Sequence, residues 1–165
     1  MPAVSNTSPI LNLAIIGRLS LLRHQFSQII VPPAVVSELR LDQDLPGVPE
    51  VASAFQDKWI RVQDVADRCL VQSLIRDLDE GEAEAIALAC QTSAPWVLLD
   101  EREGRQAAKS LGLRMTGTVG VLLRAYRERR ISSLQKELEN LRNMAGFHLS
   151  DALFCEVLRR AGENP

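Results

Sequence analysis

The chain has few aromatics. Phe, Trp and Tyr make up only 4% of its 165 residues, so Leu, Ile, Val and Ala must fill the core. It has few cysteines: Cys69, Cys90 and Cys155 are odd in number, far apart and without a C-x-x-C. That argues against a disulfide framework and a zinc site and leaves reduced, buried thiols as the expectation. His24 and His148 have no paired nucleophile in view, which argues against histidine-driven catalysis. The longest apolar stretch, Pro9–Gly17, contains Asn12 and is far too short to span a bilayer. The N-terminus lacks the features of a secretory leader, so a cytoplasmic protein with no membrane contact is expected. Neither sign of charge dominates. A net charge of −2 excludes bulk electrostatic coating of nucleic acid, so any such contact must be local.

Hydrophobic residues make up 46%, a globular composition, and the length suits one domain over residues 1–165. Short β-branched runs alternate with helical patterns. Ala3–Ser5, Gln28–Val31, Trp59–Gln63, Trp96–Leu99 and Leu113–Met115 read as strands. Ser8 as cap and Pro9 at the first helical position suggest a helix ending near Gly17. Further helices are expected at Leu19–His24, Pro33–Arg40, Val51–Lys58, Asp64–Arg76, Glu101–Leu111, Val119–Arg129 and Ile131–Met144, with a last one capped by Ser150. The clearest begins at Asp79-Glu80-Gly81-Glu82, with Ala83, Ile86, Ala87 and Cys90 as its buried face. This alternation predicts an α/β fold, a parallel sheet with helices on both faces.

Four polar residues stand out in that frame. Asn6 and Asp100 follow strands, while Glu38 and Glu82 lie early in helices. In a parallel sheet such positions converge on one edge, where ligands bind. Three carboxylates meeting there would repel, and a divalent cation is the usual remedy, so Mg²⁺ or Mn²⁺ and phosphodiester chemistry are suggested. Each residue has a plainer role available. Asn6 suits a turn, Glu38 a solvated helix face, Glu82 a capping box with Asp79, and Asp100 a cap for the helix after it.

The runs Val4-Ser-Asn-Thr-Ser-Pro-Ile-Leu-Asn-Leu13, Pro32-Pro-Ala-Val-Val-Ser-Glu-Leu39, Gly81-Glu-Ala-Glu-Ala-Ile-Ala-Leu-Ala89 and Leu98-Leu-Asp-Glu-Arg102, in this order and spacing, resemble the PIN-domain nucleases. Thr116-Gly-Thr-Val-Gly-Val-Leu122 and Leu149-Ser-Asp-Ala-Leu153 are similar to one bacterial and archaeal branch of them. The resemblance covers nearly the whole chain. It implies a three-layer α/β/α sandwich with a central parallel sheet and metal-dependent RNA cleavage. Many members are toxins of toxin–antitoxin pairs, so RNA, an antitoxin protein and a second copy of the chain are the implied partners.

The resemblance makes Glu38, Glu82 and Asp100 the catalytic acids. Asn6, standing where the family's first aspartate would be, is then a neutral fourth metal ligand. An amide oxygen ligates without bringing charge, which weakens the site. A rival reading follows, a catalytically weak or inactive module that binds RNA or a protein. Glu84 competes with Glu82, but on a helix the two point about 200° apart and cannot share one ion. Glu82, nearer the helix start and bordering the apolar stripe, is the choice. Thr7 and Ser8 match hydroxyl positions that orient carboxylates, and Thr116 and Thr118 would bond a phosphate or a ligand carboxylate. Arg124 and Arg127, in a basic cluster with Arg129 and Arg130, are candidates for the RNA backbone.

Overall fold

The computed structural model describes residues 1–163. Five short strands form one parallel sheet: β1 (Ala3–Ser5), β2 (Ile29–Val31), β3 (Ile60–Val62), β4 (Trp96–Leu98) and β5 (Met115–Thr116). Their order is β3-β2-β1-β4-β5. The chain winds outward from β1 through β2 to β3, then returns to the other side of β1 for β4 and β5. The reversal lies between β1 and β4, and such a switch point opens a crevice beyond the C-terminal strand ends.

Successive strand residues face opposite layers. Ala3, Ile29, Val31 and Leu98 join one core, and Val4, Ile30, Val97 and Leu99 join the other. The first core is covered by α1 (Thr7–Ile15), α2 (Ser20–Gln25), α3 (Pro33–Leu39), α4 (Val48–Gln56), α8 (Thr118–Arg127), α9 (Leu134–Met144) and α10 (Asp151–Ala161). The second is covered by α5 (Arg68–Leu74), α6 (Glu80–Thr92) and α7 (Arg102–Ser110). The expected α/β/α sandwich is therefore the fold. Among the described residues no helix is long and apolar enough to cross a membrane.

The differences from the sequence reading are local. The first helix begins at Thr7, with Asn6 rather than Ser8 in the capping position. The helix expected at Val51–Lys58 starts earlier, at Val48, because Pro49 fits its first turn. The one expected over Asp64–Arg76 is only Arg68–Leu74, since Asp67 caps it by accepting the Leu70 N–H at 2.9 Å. The buried stripe foreseen on α6 is too narrow. Gly81 through Ala89 are all buried, because α6 lies across β1 and β4 and is flanked by α3, α5 and α7. Its alanines allow that close packing. The thiols are free, but Cys69 and Cys155 are exposed and Cys90 is half-buried, contrary to the burial expected.

Candidate functional site

Ser5, the last residue of β1, pairs with Leu98 of β4, and the Asn6 N–H donates to the Leu98 carbonyl at 3.1 Å. Asn6 and Asp100 thus leave adjacent parallel strands at the same edge, at the switch point. Asn6 occupies the N-cap of α1 with extended backbone, where an Asn side chain normally accepts a helix N–H. It makes no such bond, and its Oδ1 is buried without a hydrogen-bond partner. An unpaired buried acceptor costs about 1–3 kcal/mol.

Neighbouring elements bring the acids to this edge. The Thr7 hydroxyl donates to Glu38 of α3. Glu38 in turn abuts Gly81 at the start of α6, where a Cβ would lie 2.6 Å from both carboxylate oxygens. The next residue, Glu82, completes a capping box: Asp79 Oδ1 accepts its N–H at 2.8 Å, and its Oε2 accepts the Asp79 N–H at 3.4 Å. Glu82 Oε1 is buried and unpartnered, 2.9 Å from where a Cβ at Gly104 of α7 would stand. Asp100 does not cap α7. It accepts the Thr118 N–H and the Thr118 hydroxyl, each at 2.7 Å, and the Asn12 amide at 3.2 Å. It thereby caps α8 from across the sheet edge, where the helix dipole favours an anion. A Cβ at Gly117 would come within 2.7 Å of Asp100 Oδ1. Each of the three acids rests against a glycine that no other residue could replace without displacing the carboxylate.

The acids ring the edge without forming one tight cluster. Among the described residues, no three His, Cys, Asp or Glu side chains stand close enough to hold one ion together. Each carboxylate turns toward its own donors instead. All the oxygens present are hard donors suited to Mg²⁺ or Mn²⁺. Two of the three unpartnered buried side-chain oxygens among the described residues, those of Asn6 and Glu82, lie at this edge. The third belongs to Glu137, whose other oxygen is held by Arg18 at 2.6 Å. In donor chemistry the set suits such a cation, while in this arrangement no three of the acids stand together to hold one.

Glu84 is spent elsewhere. It accepts the Ala34 N–H at 2.9 Å and pairs with Arg68 at 2.8 Å, tying α6 to the start of α3. Ser8 and Asn12 line a cleft of about 410 Å³ that also reaches Asp100. Thr116 is half-buried, with its hydroxyl against Gly120. Arg124 and Arg127 are not brought to the acids. They lie about 9 and 14 Å along α8 from Thr118, because six and nine residues separate them. Arg124 pairs with Glu128 at 2.8 Å, and Arg127 donates to the Arg160 carbonyl at 3.4 Å. Two residues at the site were missed: Asn12 of α1, whose amide donates to Asp100 at 3.2 Å, and Arg105, whose Nη1 donates to the Leu99 carbonyl at 2.9 Å. The polar interruption of an apolar run was a signal for Asn12; Arg105 carried none.

Burial, and then the charges of Asp79, Glu101 and Glu103, push Glu82 up to about 7 against the pull of the Asp79 N–H. Burial also raises Asp100, offset by the Thr118 and Asn12 hydrogen bonds and by Arg105. Because Glu82 binds its proton more tightly folded than unfolded, its stabilising contribution is complete below pH 4.5, its ordinary value, and is lost as pH rises through 7. Without metal, the protein should lose about 2 kcal/mol between about pH 5 and pH 8 from this group. Glu82→Gln should flatten that slope and melt above the parent at about pH 8. Thermal melts in chelator across that range check this, and an unchanged slope would assign the loss to other groups.

A family model, DUF3368, described as a PIN domain, matches residues 2–163. No curated protein matches the chain. Among solved structures, it is similar to a PilT N-terminus domain protein from the hyperthermophilic archaeon Sulfolobus solfataricus P2. That likeness has 15% identity and a TM-score of 0.45, and covers 91% of this chain and 98% of that one. With the match running over nearly its whole length, the chain belongs to the PIN-domain family.

Proposed function

We propose that the chain is a metal-dependent endoribonuclease in which Glu38, Glu82, Asp100 and the Asn6 carboxamide hold Mg²⁺ or Mn²⁺. The observation that carries this is Asn6. It stands at a capping position, caps nothing, and keeps a buried Oδ1 free at the strand edge from which Asp100 also emerges. An Asn serving only the turn would have spent that oxygen on the backbone.

Thr7 holds Glu38, and Thr118 with Asn12 holds Asp100; a shared cation would have to draw these carboxylates together from their separate donors. Glu82, near neutral in its titration, gives up its proton when a cation is taken. When bound, the cation supplies an activated water and charge neutralisation at the scissile phosphate. Ser8 and Thr116 flank Asp100 and would donate to phosphate oxygens. Arg124 and Arg127 would meet the RNA backbone only beyond the acid edge. An antitoxin protein would be a natural regulator, and a second copy of the chain a natural partner, for a nuclease of the toxin type.

A second reading, a module that binds RNA or protein without cleaving, is favoured by the missing charge at Asn6 and by the spacing of the acids. Calorimetric titration with Mn²⁺, followed by RNA cleavage with and without chelator, separates the two. The nuclease should bind Mn²⁺, lose that binding in Glu38→Gln, and stop cleaving in chelator. Chelator-resistant cleavage, or no Mn²⁺ uptake, would overturn the proposal.

A further inference from the structure

Helices α1 and α8 both start at the acid edge, at Thr7 and Thr118, and run away from it. A cleft of about 660 Å³ opens where their far ends come together. It is lined by Arg18, just past α1, by Tyr126 and Arg127 in the last turn of α8, and by Arg129, Arg130 and Ser132 in the turn to α9. Among the described residues, none that lines it also lines a cleft reaching Asp100.

Four guanidinium groups thus border one concavity in a chain of net charge −2. Carboxylates answer them poorly. Glu137 holds Arg18 at 2.6 Å. Glu128 lies 3.8 Å from Arg130 but is already held by Arg124 at 2.8 Å. Glu163 is spent at the start of α9, where it accepts the Leu134 N–H at 2.8 Å. Among the described residues, no ion pair reaches Arg127 or Arg129. A cleft lined by one sign of charge focuses its field and gathers ions of the other sign.

We infer that this cleft binds a small polyphosphate, either a free inorganic chain or the triphosphate of a nucleotide. Its volume suits a small molecule, for which sites run to about 300–1,000 Å³. Guanidinium forks match phosphate oxygens two at a time. A triphosphate carries its charges on adjoining groups, so it meets several forks within one pocket. A single RNA strand spaces its charges along the backbone and calls for a groove that tracks them. An acidic peptide spreads its charges in the same way. The site shares no residue with the acid edge, so the inference does not rest on the nuclease reading.

The test is calorimetry in chelator, with inorganic triphosphate, ATP, orthophosphate, a single-stranded RNA bearing a 5′-hydroxyl, and an acidic peptide. The variants are Arg129→Gly and Arg130→Gln. Arg129 has φ 59°, in the left-handed region that glycine favours, so Arg129→Gly removes a guanidinium without straining the turn. The parent should bind triphosphate at least ~10-fold more tightly than orthophosphate, and each variant should lose ~10-fold or more for triphosphate while melting near the parent. Inorganic triphosphate bound without ATP would support the free chain as the ligand, and ATP bound at least as tightly would support the nucleotide. Orthophosphate bound as tightly as triphosphate, RNA or peptide bound more tightly than either triphosphate, or variants that bind like the parent would overturn the site. None of these outcomes bears on Mn²⁺ uptake at the acid edge.

Discussion

Replacing Asp100 with Asn is expected to leave the fold standing and to lower RNA cleavage by at least ~100-fold. Substitutions one layer outside a metal site already cost about 10–100-fold, and a ligand should cost more. The structural consequence should be small. Asp100 accepts three bonds, from the Thr118 N–H, the Thr118 hydroxyl and the Asn12 amide. The Asn carbonyl oxygen can keep the Thr118 N–H. Its amide then meets the Thr118 hydroxyl, which can rotate to accept, and Asn12, which can turn its own oxygen inward. Asn also removes a buried charge whose carboxyl burial already pushes upward. Melting temperature should therefore move little, while Mn²⁺ binding weakens. The measurement pairs a melt with a cleavage assay on identically purified proteins. Equal cleavage by parent and variant would trace the activity to a contaminant and end the nuclease reading.

How much was legible in sequence depended on how local the cause was. Asn6 and Asp100 could be placed because each closely follows a strand, and parallel strands end at one edge whatever their order; Glu38, in the last turn of α3, was favoured through the resemblance. Helix geometry showed only that Glu82 and Glu84 cannot share one ion; Glu82 was preferred for its place near the helix start and beside the apolar stripe, and Glu84 is held by Ala34 and Arg68. Of the acids' partners, the resemblance gives Thr7 and Thr118 as hydroxyls for carboxylates, and they donate to Glu38 and Asp100. Asn12 was not legible, because it reaches Asp100 across 88 residues, a separation set by strand order rather than by any periodicity. The glycines behind the acids, Gly81, Gly104 and Gly117, looked like helix starts and turns. A Cβ at each would crowd a carboxylate, and at Gly117 also the Leu99 carbonyl, a role that needs the packed neighbours to be seen. The reach of α6 was underestimated for the same reason: an alanine-rich stripe looks one-sided until helices are placed on both its flanks.

Restoring a charge at position 6 is the second large effect expected. Asn6→Asp puts a carboxylate where Oδ1 is buried and unpartnered, at the sheet edge from which Asp100 also emerges. The α1 N-terminus offers an anion about 0.3–1 kcal/mol. Burying an uncompensated charge costs about 3–5 kcal/mol, or less if the group takes up a proton instead. The burial cost therefore wins, and in chelator the variant should be about 2 kcal/mol less stable, roughly 4–8 °C lower in melting temperature for a chain of this size. With millimolar Mn²⁺ the balance changes sign. The added charge tightens the cation, and binding to the folded state alone raises stability by mass action. The gap between variant and parent should shrink or reverse, and cleavage should rise if the parent is slow for want of this acid. Melts with and without Mn²⁺ check the first part, and calorimetry the second. Equal shifts under both conditions would place Asn6 outside any cation site and leave its silent carboxamide without a ligand to explain it.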